Sequence, residues 1–335
     1  MAADALKCEL RPFDPLFRNP DLATIAANFW PRPLDTVRFP VRSRFYRTEP
    51  EVQVRVEEQR PEGNPRGQFV LIHGLESSAD TGYLRSMAQA ALEAGFIVHR
   101  MNLRTCGGTE HLCKTMYHAG LTGDLRYLLE QNREPSPIFV IGYSLGGNLA
   151  LKLAGEMGED ARRLVAAVCA VCVPIDLAAC ARRLGQPRNR LYERRFLGRM
   201  KDRIRRRSRI MPELYSTEGL DGIRSLWDFD DRITAPAFGF RGAGDYYGTQ
   251  SAARFLDRIR VPALVVPAKD DPLIPFEVFR HPAFETNPAL RLEPVEHGGH
   301  LGFLARRRPR FWLDGEILNW AIHLRNKSAD SAVVT

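Results

Sequence analysis

The sequence GYSLG at residues 142–146 matches the pattern G-x-S-x-G, in which the serine can act as a nucleophile. An apolar run typical of a buried strand ends at Gly142, and a helical pattern begins at Leu145, so the serine lies in a strand-to-helix turn. Such a turn exposes the hydroxyl at the helix N-terminus, and its glycines avoid the clashes that a Cβ would make. We predict that Ser144 attacks a carbonyl carbon and that the Leu145 N–H stabilises the resulting oxyanion.

A serine hydroxyl needs a base to remove its proton, and the base needs a third group to orient it. Asp270 and Asp271 follow one apolar strand pattern, and His297 and His300 follow the last one. We expect these side chains at the same edge of the sheet as Ser144, since the carboxyl ends of parallel strands meet there. The order serine, aspartate, histidine is one of the three chain orders in which such triads occur.

His300 is the predicted base, because the two glycines before it allow its loop to bend toward the serine. Asp271 is the predicted orienting carboxylate, and Asp270 is an alternative that the sequence leaves open. We interpret His297 as a helper or as a solvated loop residue.

A second oxyanion donor is expected after the first central strand, where the sequence reads HGLE at 73–76. The Leu75 N–H is our candidate for this donor. We interpret His73 as a structural hydrogen-bonding residue beneath the site.

Four residues that could bind a metal occur close together in one loop: Cys106, His111, Cys113 and His118. Their spacing differs from the short pairs that supply two ligands to a zinc ion from one turn. We therefore predict no metal and interpret this segment as a glycine-rich loop bordering the pocket. The six cysteines are expected to be free thiols, and the C-x-x-C of Cys169 and Cys172 lies in an apolar run that indicates a buried strand.

Short apolar runs alternate with helical patterns along most of the chain. The strand-like runs are 68–73, 96–101, 138–141, 165–173, 263–267 and 290–295. This alternation predicts an α/β fold, with a mostly parallel central sheet and helices on both faces.

The alternation is interrupted once, which suggests how the chain is organised. We assign 1–175 and 249–327 to the α/β core and treat 1–34 as its N-terminal extension. The interruption, 176–248, is Arg-rich and helical, and we predict that it forms a lid. We expect 328–335 to be a disordered tail.

Composition restricts the class of protein. The chain has 335 residues, of which 44% are hydrophobic and 26% charged, as in ordinary globular proteins. It contains no apolar run of the roughly 20 residues that a membrane-spanning helix needs. Its first residues lack an apolar signal core, so we expect a cytoplasmic protein. The oligomeric state is not indicated.

The net charge of +8 is concentrated in one segment, 182–209, which holds twelve arginines and one lysine against two acidic residues. This distribution is not that of a general nucleic-acid binder, in which phosphate contacts spread over a larger face. Apolar residues recur in the segment every four positions, as in a basic amphipathic helix: Tyr192, Phe196, Met200 and Ile204. Its arginines could meet an anionic membrane surface, although a solvated helix packed on the core is the interpretation we favour.

These motifs together resemble the YheT-type branch of the α/β-hydrolase superfamily, also called the abhydrolase-4 group. The stretches that carry the resemblance are HGLE at 73–76, GYSLGGN at 142–148, AKDDP at 268–272 and HGGHLGF at 297–303. The resemblance implies an α/β-hydrolase fold and activity as an esterase or lipase on carboxylic esters. Two departures, RTCGG at 104–108 and Ser77 after Glu76, affect the pocket wall and not the predicted triad.

We expect a serine hydrolase that cleaves short- to medium-chain acyl esters or monoacylglycerol-like lipids through an acyl-enzyme, without a cofactor. The expected partner is therefore a small-molecule ester or lipid. One alternative is an acyltransferase that uses the same triad and passes the acyl group to an alcohol. Another is a catalytically silent module that binds an apolar ligand.

Overall fold

The computed structural model describes residues 9–132, 134 and 136–333, and within them the chain forms an eight-stranded sheet. The strands are β1 (Arg42–Glu49), β2 (Val52–Gln59), β3 (Gln68–Ile72), β4 (Ile97–Met101), β5 (Ile138–Tyr143), β6 (Ala167–Val171), β7 (Ala263–Val266) and β8 (Leu290–Leu292). Their order is β1-β2-β4-β3-β5-β6-β7-β8. Strand β2 runs antiparallel to its neighbours β1 and β4, and the neighbouring pairs from β4 through β8 are parallel.

The central strands are apolar because helices cover both faces of the sheet. Every residue of β3, β5 and β6 is buried, and each fully buried aliphatic or aromatic side chain stabilises the fold by about 1.5–3 kcal/mol. The predicted α/β fold with a mostly parallel sheet is confirmed. Its rigid centre presents the carboxyl ends of β3, β5 and β7 at one edge.

The helices connect these strands and form the outer layers. They are α1 (Pro20–Phe29), α2 (Gly82–Glu93), α3 (Gly123–Gln131), α4 (Leu145–Met157), α5 (Leu177–Leu184), α6 (Arg190–Ile210), α7 (Leu226–Phe229), α8 (Ala235–Ala237), α9 (Ala243–Gln250), α10 (Ala283–Thr286) and α11 (Trp312–Val333). One core packs α2 and α11 against the sheet through Leu84, Ile317 and Trp320. The other packs α3 and α4 through Leu125 and Leu149. In the described part of the chain, no helix is long and apolar enough to cross a membrane.

The segment between β6 and β7 folds as a group of helices, α5 to α9, which we call the helical insertion (176–248). Its longest helix, α6, buries Met200 and Ile204 in a small separate apolar core. Two arginines that the sequence pattern places among solvated residues are also buried. Arg203 contacts a carboxylate, and Arg207 donates to the carbonyl oxygens of Glu110 and Lys114, so both hold α6 on the core.

Both ends of the described chain contain helix that the sequence analysis did not assign. The N-terminal extension contains α1, which begins where Asn19 Oδ1 accepts hydrogen bonds of 3.0 Å from the N–H groups of Asp21 and Leu22. Residues 1–8, including Cys8, lie outside the described residues. At the other end, α11 continues to Val333, because 328–333 contains no glycine or proline that would end a helix.

Candidate active site

Ser144 occupies a strained turn between β5 and α4. Its φ of 52° lies in the left-handed region, which is unfavourable for a residue with a Cβ. The turn is anchored where the Ser144 N–H donates to the Val171 carbonyl at 2.8 Å. It also needs glycine on both sides, since a Cβ at Gly142 would overlap the backbone of Gly146, and one at Gly146 would lie 2.5 Å from the Ile72 carbonyl oxygen. The motif thus presents the hydroxyl above the sheet, at the N-terminus of α4.

Three predicted residues meet at this point. His300 Nε2 lies 3.1 Å from Ser144 Oγ, and His300 Nδ1 lies 2.8 Å from Asp271 Oδ2. Asp271 is buried, and its other oxygen accepts hydrogen bonds from the Leu273 and Ile274 N–H groups at 2.8 and 3.1 Å. These donors hold the carboxylate in place, which orients the imidazole toward the serine.

Asp270 points to a different part of the same loop. Its Oδ1 accepts hydrogen bonds of 2.9 Å from the N–H groups of Gly298 and Gly299, and its Oδ2 lies 3.3 Å from His297 Nδ1. The two aspartates that the sequence could not separate therefore have different partners. Asp271 contacts the imidazole of His300, and Asp270 shapes the glycine turn that carries His300.

Helix α1 supports the histidine loop from outside, a feature that the sequence analysis missed. Thr24 Oγ1 accepts a 2.8 Å hydrogen bond from the His300 N–H. Gly299 has a φ of 52°, and a Cβ there would meet the carbonyl oxygen of Pro20. The sequence Asn19-Pro20-Asp21 carries the signal for this helix, with a capping residue, a proline in the first turn and an early acidic residue.

The two predicted oxyanion donors border the same space. Leu75, Leu145, Ser144 and His300 all line one cavity. Within the described residues, neither the Leu75 nor the Leu145 N–H donates a hydrogen bond inside the protein. Two donors free of internal partners next to a serine hydroxyl can bind an oxygen that gains negative charge.

The neighbours of Leu75 fix its loop. The Gly74 N–H donates to the Tyr83 hydroxyl at 3.0 Å, and the Glu76 N–H donates to the Tyr117 hydroxyl at 2.9 Å. Beneath the loop, the Leu103 N–H donates to His73 Nε2 at 3.1 Å, and burial lowers the pKa of His73 to about 4. His73 is thus a neutral structural group, as its position after β3 predicted.

A buried ion pair joins this loop to the helical insertion. Arg203 of α6 contacts Glu76 at 2.8 Å, with side chains only 4% and 6% exposed. The guanidinium also lies over the Tyr117 ring, 4.5 Å from its centroid, and the Tyr117 hydroxyl donates to Glu76 at 3.1 Å. Sequence reasoning missed this pair because its partners are 127 positions apart, and nothing in the local pattern connects them.

Two cavities meet at the serine. The first, which we call the inner cavity, has a volume of about 800 Å³ and lies beneath the helical insertion. Its walls are mostly apolar, and the insertion contributes Leu177, Cys180, Ala181, Leu184, Phe196 and Met200. Its buried acid, Asp230, accepts hydrogen bonds of 2.6 Å from Thr234 and Tyr247, and burial raises its pKa to about 6.

The second, the outer cavity, has a volume of about 1600 Å³ and lies between α1 and the first turns of α6. It opens to the surface, since exposed residues such as Phe29, Leu191 and Arg195 form part of its wall. Ser144 and His300 line both cavities, so an ester bound at the serine has one space on each side of its carbonyl.

The residues considered for zinc do not converge. His118 packs against the rings of Phe238, Phe240 and Tyr246, and Cys113 donates to a backbone carbonyl. In the described chain, the grouping of possible ligands that does occur is Cys172, Asp271 and His300. Burial raises the pKa of the Cys172 thiol well above its usual range, so this group stays neutral beside the triad residues.

Comparison with known proteins identifies relatives for most of the chain. A family profile described as "Alpha/beta hydrolase family" matches residues 69–311. The chain is 33% identical over 260 residues to "Putative esterase YheT" of Escherichia coli (strain K12), covering 76% of each protein. It is 27% identical to "Phospholipase ABHD3" of Mus musculus, covering 74% of this chain and 61% of that protein. Among solved structures, the Pyrococcus furiosus esterase Pf2001 superposes with a TM-score of 0.55 at 16% identity, covering 87% of this chain and 94% of that one.

Proposed function

Because the chain belongs to the alpha/beta hydrolase family, we propose that it is a serine hydrolase that cleaves carboxylic esters through an acyl-enzyme on Ser144. Relatives named as an esterase and as a monoacylglycerol lipase, together with membership of the family, support carboxylic ester hydrolysis. The observation that carries the serine mechanism is the continuous contact from Ser144 through His300 to Asp271, with distances of 3.1 and 2.8 Å.

In the first half of the reaction, His300 Nε2 takes the Ser144 proton while Oγ bonds to the ester carbonyl carbon. The Leu75 and Leu145 N–H groups donate to the oxyanion that forms. The oxyanion then collapses, the bond to the alcohol oxygen breaks, and His300 gives its proton to the departing alcohol. Asp271 accepts from His300 Nδ1 throughout and stabilises the imidazolium.

In the second half, water attacks the acyl-enzyme carbonyl and gives a proton to His300. Collapse of this intermediate releases the carboxylic acid, and the proton returns to Ser144 Oγ. No cofactor is required, since each proton that His300 takes is given back within the cycle.

The two cavities suggest how the substrate is divided. The walls of the inner cavity are mostly apolar, with buried Leu177, Ala181 and Met200 among them, so it suits the acyl chain. The helical insertion at 176–248 then acts as a lid over this chain. The outer cavity receives the alcohol portion, which leaves toward the surface. This division favours short- to medium-chain acyl esters or monoacylglycerol-like lipids.

The test is hydrolysis of aryl esters of increasing acyl length by the purified protein. We expect Ser144→Ala to lower kcat/KM by about 10⁴–10⁶ and to abolish labelling by a fluorophosphonate. Ser216→Ala, at an exposed serine of the helical insertion, is the matched control and keeps both. Equal activity of wild type and Ser144→Ala, or failure of the wild type to label, would contradict the proposal, and the second result would favour a silent binding module.

Acyl transfer is a second reaction that the open outer cavity allows, because an alcohol can reach the acyl-enzyme from the same side as water. Product analysis with added alcohols distinguishes the two reactions. Ester products that increase with alcohol at the expense of free acid would identify transfer, and unchanged acid release would identify hydrolysis.

A further inference from the structure

Apolar side chains that a soluble fold normally buries are grouped at the opening of the outer cavity. Leu22, Ile25 and Phe29 lie on one stripe of α1 and are 56%, 49% and 69% exposed, and Leu191, at the start of α6, is 81% exposed. Ile25, Phe29 and Leu191 also line the outer cavity. We call these four residues the mouth patch. Exposed apolar groups gathered around a cavity commonly mark a binding surface.

The charge around the mouth patch has one dominant sign. Arg188, Arg195 and Arg199 line the same cavity, and among the described residues of its wall Asp21 is the one acidic side chain. Asp21 is already paired with Arg188 at 3.3 Å, and Arg195 lies 5.9 Å from the centroid of the Phe29 ring. The surface therefore combines projecting apolar groups with guanidinium groups, and this combination suits an anionic lipid surface.

The patch is held rigidly by the fold. The opposite side of α1 buries Ala23 and Ala27, and Thr24 accepts from the His300 N–H. The Tyr192 hydroxyl donates to Asp21 at 3.0 Å and joins α1 to α6. The apolar stripe of α1 thus remains exposed because the other side of the helix is already packed against the core.

We propose that the mouth patch docks on the surface of anionic lipid aggregates and presents the outer cavity to them. The apolar side chains enter the boundary between headgroups and acyl chains, while the arginines contact the acidic headgroups. Docking itself is independent of catalysis. The delivery of lipid esters to Ser144 through this opening rests on the proposed function.

The experiment measures flotation of the full chain with vesicles of phosphatidylcholine alone, or mixed equally with phosphatidylglycerol. Wild type and Ser144→Ala are expected to float equally with the mixed vesicles and less with the neutral ones. The double variant Phe29→Ser/Leu191→Ser should lower the bound fraction about tenfold, because two apolar side chains no longer insert. Melting temperature and circular dichroism verify that the variant is folded.

Phe45→Ser is the matched control. Phe45 is 55% exposed on the edge strand β1, four strands from β5, or about 19 Å at the usual strand spacing. We expect this variant to bind vesicles like the wild type. Equal flotation of the double variant and the wild type overturns the proposal, as does equal flotation with neutral and mixed vesicles.

Two further outcomes distinguish lipid docking from dimer formation and from the proposed hydrolase function. A dimer in solution that the double variant dissociates would assign the patch to a second copy of the chain and overturn the lipid assignment. Vesicle binding that persists in Ser144→Ala supports docking even if aryl ester hydrolysis fails, so the inference and the proposed function can fail separately.

Discussion

The inner and outer cavities share Ser144 and His300, together with Leu75, Phe196 and Leu273, but the remaining residues of their walls differ. Buried apolar side chains form most of the wall of the inner cavity, and its acid, Asp230, receives internal hydrogen bonds from Thr234 and Tyr247. The outer cavity is twice as large and is bordered by exposed apolar residues and arginines. The acid of the inner wall has its hydrogen-bond partners within the protein, whereas the outer wall presents exposed apolar side chains and arginines that can interact with something outside it.

This contrast suggests that different interactions recognise the acyl chain and the alcohol portion of an ester. An apolar chain gains free energy from leaving water in the inner cavity, in proportion to the area that it buries. The outer cavity offers guanidinium groups and open volume, so under the proposed function we expect it to accept varied alcohols. Ser144 lies at the boundary between the two cavities. Substitutions in the inner cavity and in the outer cavity should therefore have separable effects on the kinetics.

The largest effect on kcat is expected for Asp271, which contacts His300 at the boundary between the two cavities. Asp271→Asn should lower kcat by about 10³–10⁴, because the amide favours the wrong imidazole tautomer. Asp270→Asn is the matched control, since it only loosens the glycine turn, and we expect a loss of about tenfold. Steady-state kinetics on a soluble aryl ester measures both, and a larger loss in Asp270→Asn would reverse the assigned roles.

A smaller effect is expected at the link between the insertion and the oxyanion loop. Glu76→Gln leaves Arg203 without its buried partner, so the Leu75 loop shifts and kcat should fall about 10–100-fold with little change in KM. Affinity for a trifluoromethyl ketone, whose adduct places an oxyanion at this position, should fall in parallel.

The control for that prediction is Asp124→Asn. Asp124 and Arg104 form another buried ion pair, at 2.6 Å, which lines neither cavity. Removing one partner of a buried pair lowers stability, so both variants are destabilised, although Arg104 keeps its contact with Glu49 at 2.7 Å. If kcat changes equally in the two variants, Glu76 has only a structural role.

The inner cavity alone should set the acyl preference. Ala181→Leu adds bulk to its wall, so kcat/KM for the longest accepted acyl ester should fall about tenfold relative to the acetate. Arg195→Gln, in the outer cavity, should leave that ratio unchanged. A chain-length series measured on both variants tests this, and a shifted ratio in Arg195→Gln would contradict the division.

The smallest effect concerns stability. Burial raises the Asp230 pKa to about 6, so the folded state holds its proton more tightly than the unfolded state, and stability from this group falls as pH rises toward 6. Asp230→Asn cannot ionise, and between pH 5 and 7.5 its unfolding free energy should gain on the order of 1 kcal/mol relative to wild type. Chemical denaturation at the two pH values measures this difference, and a pH-independent difference would contradict it.

Much of the fold followed from local pattern, because buried parallel strands must be apolar along their whole length and β3, β5 and β6 are. The turn at Ser144 was equally predictable from the sequence, since short-range sterics require glycine at positions 142 and 146. The sequence analysis did not assign the capped helix α1, although its signal, the capping residue Asn19 followed by Pro20, is local.

By itself, the sequence determined the chain order of the strands β3 to β8, the strained serine turn, and the segments that supply a carboxylate and an imidazole. These depend on residues within a few positions of one another, where sterics and hydrophobic periodicity act directly. Tertiary structure alone decided which aspartate meets His300, that Arg203 reaches Glu76, and that an exposed stripe of α1 borders the outer cavity. Such contacts join positions far apart in the chain, and only packing of the whole fold brings them within reach.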